Sequence, residues 1–286
     1  MRILQQTIII FLLIVFISAI PVIMVVNPVE QKLYWDFSNL GHLYVDFIKE
    51  LGNGGLGTYT LGDQERSISD DIGSYFITSL ELLFFGVLIA VFVSLLFGIF
   101  LSRFKLTRLI NILLNILSTI PDFILIIFSL VLAIMVYQIT GFRIISFRQD
   151  AGVLNIWFPM LLVGISPTLY MFKLVTVKYY QLSGEDYIRT AVSKGLRVNY
   201  INFQHIYKNI EPFMIAELTK IVSLAIGNLF IIEYLLNVSG ITKFIFQSYQ
   251  FQPVTIGLFS MLLISLIVYI SIRLILYIFK RGFIYE

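Results

Sequence analysis

The chain contains no cysteine and only two histidines, His42 and His205. That excludes a disulfide scaffold, thiolate catalysis and cysteine-built metal sites, and a lone His205 without a second ligand reads as structural. Charge is scarce too, with 13% of the 286 residues ionised, against about a quarter in soluble proteins. A net charge of +3 is too small to argue for nucleic acid as a partner. Long Pro- or Ser-rich linkers, low-complexity tracts and solenoid-like repeats are missing. So is any G-x-x-x-x-G-K-[ST] phosphate loop, which leaves ATP and magnesium without a cradle in this chain.

What is abundant is apolar surface. Hydrophobic residues make up 58% of the chain, 26 of them Phe, and the mean hydropathy is +0.91. One compact core cannot hide that much apolar area, so lipid must replace water as the main solvent. A span needs about 20 apolar helical residues, because ~30 Å of hydrocarbon is crossed at 1.5 Å per residue. Six stretches qualify: 8–26, 80–101, 109–137, 151–172, 213–236 and 254–272. The first reads as a signal anchor, being long and preceded by the single base Arg2. Pro121 should kink the third, and Pro159 and Pro167 the fourth. The fifth is the least apolar, holding Glu217, Lys220 and Glu233. The expected class is all-α, a polytopic protein with six transmembrane helices.

Six spans put both termini on one side, and basic residues choose which. Arg2, the link with Arg103, Lys105 and Arg108, the stretch 173–220, and Arg273, Lys280 and Arg281 hold all but six of the 20 Lys and Arg. The exceptions are Lys32, Lys49, Arg66, Arg143, Arg148 and Lys243. The bias predicts cytoplasmic termini. Residues 27–74 then lie outside, rich in acids and broken by Gly52, Gly54, Gly55, Gly57 and Gly62, as an exposed loop.

The stretch 173–212 is amphipathic instead of apolar. Ser183 to Asp186 form an S-x-x-acid helix start, Gly195 suits the left-handed residue that ends a helix, and Lys194 favours its last turn. Between them a short surface helix should carry Tyr187, Ile188, Ala191 and Val192 as an apolar strip.

EDYIRTAVSKGL (185–196), with His205, Asn209 and Pro212 after it, resembles the cytoplasmic loop of ABC importer permeases of the oligopeptide, dipeptide and nickel branch. GSYFITSLELLFFGVLIAVFVSLLFGIFLS (73–102), STIPDFILIIF (118–128), EYLLNVSGI (233–241) and the glycine-rich GNGGLGTYTLGDQERSISDDI extend the resemblance almost end to end. Arg189, Thr190 and Ala191 replace the wider superfamily's Glu-Ala-Ala, a habit of the peptide branch. Ser239 stands in place of a usual proline, Thr242 and Lys243 in place of Gly-Arg, and Pro212 comes about one residue early.

The resemblance implies the type I ABC importer permease fold in a bacterial inner membrane. An N-terminal helix and external loop, 1–74, would precede a five-helix permease core, 75–286, with its coupling loop at 173–212. It implies a homologous second permease subunit, two ABC ATPase subunits carrying ATP and magnesium, and a solute-binding protein. This chain would need no cofactor and would not be an enzyme. Glu185, Asp186, Tyr187, Arg189, Thr190, Ala191, Lys194 and Gly195 take the coupling-helix role, pushed when the ATPases close. Small Ala191 and Gly195 would permit close approach, and the charges would pair at the rim. The cargo would be short peptides, with nickel or a metallophore as the alternative; a scaffold that docks ATPases without translocating is the different-class alternative.

Ionisable residues inside a membrane are functional candidates by default, here Asp122, Glu233 and Glu81. For Asp122, satisfying backbone donors near the Pro121 kink is favoured over cargo contact. Glu233 serves a gate, a binding-protein contact, or simple interfacial solvation. Glu81 matches the family pattern or only caps its helix near water. Glu217 and Lys220, at i and i+3, are expected to pair with each other.

Overall fold

A computed structural model describes residues 2–26, 32–102 and 105–283. Arg103 of the basic link, and 27–31 at the start of the expected external loop, lie outside them. The described chain is mostly helical, and six helices are apolar and long enough to cross a membrane: Leu4–Ile23, Ile68–Phe100, Asp122–Thr140, Gly152–Ser183, Val198–Leu235 and Phe251–Gly282. The all-α, six-span class is therefore present. The chain divides into two compact units, 1–79 with 239–264, and 80–238 with 265–286.

In the first unit, α1 (Arg2–Ile23) leads into β1 (Met24–Val26), paired antiparallel with β2 (Leu33–Trp35). After α2 (Leu40–Gly52), β3 (Thr58–Leu61) and β4 (Gln64–Ser67) form a hairpin. Gly62, at φ +63, takes the first of its two turn positions, as a II′-like turn requires. The stretch expected to be an irregular exposed loop is thus a folded layer whose glycines serve its turns and ends. Apolar side chains of these elements close a core around Ala19, Ile23, Phe47, Tyr59, Phe244 and Phe251. Tyr59 packs edge-on to Phe244 at 5.4 Å and donates its hydroxyl to Asp71 at 2.7 Å. Phe244 belongs to α11 (Ile241–Gln247), whose first amide donates to Ser79 Oγ at 2.7 Å.

Helix α3 (Ile68–Leu95) starts with Asp70 and Asp71, which favour the positive end of its dipole, and runs into a π turn at Leu96–Phe100. In the second unit, the single kinked span expected over 109–137 is instead two helices, α4 (Lys105–Leu117) and α5 (Asp122–Thr140). Pro121, at φ −56 and ψ 140, stands outside the helix and starts α5. Proline biases the residue before it away from helix but suits a helix start, so the break is complete.

The next span combines α6 (Trp157–Val163) and α7 (Ile165–Ser183). At Gly164 between them, an added Cβ would lie 2.8 Å from the Gly86 carbonyl oxygen, so only glycine allows this approach to α3. α7 continues past Phe172 to Ser183, and helix resumes at Val198. The interruption expected over 173–212 therefore shrinks to 184–197. Its amphipathic flanks stay helical because a long span can project polar turns into water. That interruption carries α8 (Asp186–Ser193); α9 (Val198–Ile201) then passes through a π turn, Asn202–Tyr207, into α10 (Lys208–Leu235). The last helix, α12 (Phe251–Phe283), is tied to the start of α10 by Lys280 and the buried Glu211 at 3.0 Å.

Candidate coupling surface and charged membrane cavity

α8 is defined by its ends. Glu185 adopts an extended backbone just before it but makes no side-chain cap. Ser183, expected to cap it, closes α7 instead by donating to the Tyr179 carbonyl at 2.7 Å. At the far end Gly195 has φ +73, its amide donates to Val192 O at 2.9 Å, and the Leu196 amide donates to Ala191 O at 3.2 Å. This is the paired closure of a Schellman motif, and it needs the left-handed residue there.

The strip of four apolar residues is split. Ile188 and Ala191 are buried within the chain, whereas Tyr187 and Val192 are exposed. Ala191 thus makes its close approach to its own chain and is not on the open face. That face carries Glu185, Asp186, Arg189, Thr190, Lys194 and Gly195. Arg189 reaches Asp186 at 3.6 Å, and Thr190 donates to the Asp186 carbonyl at 2.9 Å. Asn209 Nδ2 donates to the Tyr187 hydroxyl at 3.3 Å and to the His205 carbonyl at 2.7 Å, joining α8 to the base of α10. Partial desolvation raises the Tyr187 phenol above its ordinary value, partly offset by the Asn209 hydrogen bond. His205 packs by Tyr187 and Tyr200, ring centroids 6.5 and 6.0 Å away, and among the described residues no group of three metal-ligating side chains gathers.

The two π turns meet: Phe100 packs at a tilt against Phe203 at 4.5 Å, and buried Asn202 donates to the Ile99 carbonyl at 3.4 Å. The buried Asn202 Oδ1 and Thr176 Oγ1 are left without hydrogen-bond partners.

Deeper in the second unit, Ser118, Asp122, Ser166, Tyr170, Lys173 and Leu224 line a cavity of about 230 Å³. Asn228 on α10 donates to Ser166 Oγ at 2.8 Å. Glu217 and Lys220 do not pair with each other as expected. Tyr170 donates to Glu217 Oε2 at 2.6 Å, and Lys220 Nζ sits 4.2 Å from the centre of the Tyr170 ring, so both converge on that tyrosine. Tyr170, on the neighbouring helix, offers each a better-placed partner.

The three candidate carboxylates do not come together. Asp122 lines the cavity, and the amides expected to need it, those of Ile124 and Leu125, bond to the Pro121 carbonyl instead. Glu81 is exposed well inside α3, which starts at Ile68, so it caps nothing. Glu233 is fully buried near the end of α10, which removes interfacial solvation as its role. Sequence reasoning missed Ser166, Tyr170 and Lys173, although their i, i+4, i+7 spacing puts them on one helix face. Lys173, expected among the cytoplasmic bases, lines the cavity instead.

No curated protein matches this chain. The family model for the binding-protein-dependent transport system inner membrane component matches residues 83–284, a range that includes α8, the cavity and the greater part of every span but the first. The chain accordingly belongs to that family, the membrane permeases of ABC importers.

Proposed function

We propose that this chain forms half of the translocation pathway of an ATP-driven importer of short peptides, with α8 as the helix engaged by an ATPase subunit. The observation that carries this reading is the division of α8 between two faces. Ile188 and Ala191 are buried in their own chain, while the Asp186 and Arg189 side chains are 97% and 73% exposed. A helix resting on lipid headgroups would turn its whole apolar face outward; this one buries Ile188 and Ala191 and leaves Tyr187 and Val192 exposed beside charges, a mix suited to a protein interface with a charged rim. The proposed assembly has a homologous second permease, two ATPase subunits that bind ATP and magnesium, a solute-binding protein outside, and both termini in the cytoplasm. Peptide cargo is favoured by Arg189, Thr190 and Ala191, which follow the habit of the peptide branch.

ATPase closure would displace α8, and the Tyr187–Asn209 contact and the α9 turn would carry that displacement into α10. Alternating access is then a population shift driven by nucleotide. The test is Arg189→Glu in the complete reconstituted complex, which reverses an exposed charge without touching the core. Loss of both ATPase association and ATP-driven peptide uptake is expected. Retention of both at the unsubstituted level overturns the coupling role.

A further inference from the structure

The cavity has opposite charges in its lining, Asp122 from α5 and Lys173 from α7. Among the described residues neither makes an ion pair or a side-chain hydrogen bond. Its depth follows from the helices that build it. Tyr170 is about 27 Å along the helix from the Gly152 end of its span and about 20 Å from the Ser183 end, at 1.5 Å per residue. Leu224 is similarly interior to Val198–Leu235. Asp122 is the first residue of its span and Lys173 lies ten residues inside the Ser183 end, and unpaired charges lining a cavity of a membrane protein are expensive unless they face water or a ligand. Tyr170, in the same lining, is oriented by its hydrogen bond to Glu217 and by Lys220 over its ring. A volume of about 230 Å³ is below that of drug-sized sites, which start at about 300 Å³, and suits a small solute or one end of an extended one.

From this arrangement we infer that the cavity is a waypoint for zwitterionic solutes, with Asp122 taking the protonated amine and Lys173 the carboxylate. The inference rests on the importer reading above and adds a selection step inside the membrane subunit. Glu217 and Lys220 act as positioning residues through Tyr170. The ligand class is set by charge pattern: a solute with one free amine and one free carboxylate satisfies both walls, whereas one blocked at either end leaves a charge unpaired.

The chain has no native thiol, so Leu224→Cys places its only cysteine on the cavity wall. In the complete complex, reconstituted in lipid, the rate of maleimide alkylation of that cysteine is measured with Ala-Ala, N-acetyl-Ala-Ala and Ala-Ala-amide, alongside ATP-driven uptake. Ala-Ala is expected to slow alkylation. Each blocked form should need a concentration at least about tenfold higher, the factor for one lost charge-assisted hydrogen bond. Asp122→Asn should remove the advantage of the free amine, and Lys173→Arg should keep that of the free carboxylate. Because the comparison between dipeptides uses the same protein, it does not depend on how the variants fold. Equal protection by all three, or none, in a complex that still imports peptide overturns the zwitterion site and leaves the importer reading standing. A complex that imports no peptide with ATP overturns both.

Discussion

Gly195 closes α8 in a left-handed conformation with nothing within 4 Å of where a Cβ would be. The strain of any substitution there is therefore backbone strain alone. Gly195→Ala should cost about 1 kcal/mol, the penalty of the left-handed region for a residue with a Cβ. Asn, which tolerates that region, should cost less. The loss falls on α8, so hydrogen exchange of the 186–194 amides should speed up about fivefold in Gly195→Ala, the factor for that energy if the helix opens locally. Gly164 is the opposite case: its φ is ordinary for a helix, and the constraint is the Gly86 carbonyl against it. The first glycine could be recognised from its place after a polar, amphipathic run. The second could not, since the approach that demands it involves a residue far away in the chain.

At the scale of elements, the sequence identified the existence of the spans better than their ends. Hydropathy registers only the part of a helix that lipid covers, so the apolar run of α7 ends at Phe172, short of Ser183, and that of α10 begins at Phe213, after its actual start at Lys208. The break at Pro121 was legible as proline chemistry, but whether it kinks or separates two helices depends on packing. The small layer of α2 and its hairpins was hidden because short strands with few apolar residues leave a weak periodic signal. Yet that layer has a firm core, and Tyr59 shows it. Burial, then the hydrogen bond to Asp71, raises the Tyr59 phenol from 10.0 to about 12. The neutral phenol is the form the fold retains. Its stabilisation is complete below pH 10 and is lost as pH rises through 12. A shift of this size is on the order of 2 kcal/mol. Denaturant unfolding followed by Trp35 emission, with Trp157→Phe to remove the other tryptophan, should show this loss between pH 10 and 12. Tyr59→Phe should be less stable at neutral pH and flatter across that window.

At the scale of the whole molecule, the direction of insertion turns on where charge sits. Lys173 and Lys220 lie within the spans Gly152–Ser183 and Val198–Leu235, and Lys220 covers the Tyr170 ring. Lys173 lines the cavity and Lys220 covers one of its lining residues, so neither counts as a loop charge. Setting aside every base that lies inside a span, short of its last turn, leaves Arg189, Lys194 and Arg197 around α8, along with Lys280 and Arg281 in the last turn of α12. Positive charge near span ends sets orientation, so α8 is expected in the cytoplasm, where an ATPase could reach it. With six spans, Asp63 at the β3–β4 turn, one span after the N-terminus, is expected on the other side of the membrane from Lys194, between the fourth and fifth. The absence of native thiols makes this a clean measurement. A membrane-impermeant maleimide applied to intact cells should label Asp63→Cys at once, and Lys194→Cys only after permeabilisation. The reverse pattern would put α8 outside, out of reach of any ATP-hydrolysing partner, and would remove the physical basis for coupling through it.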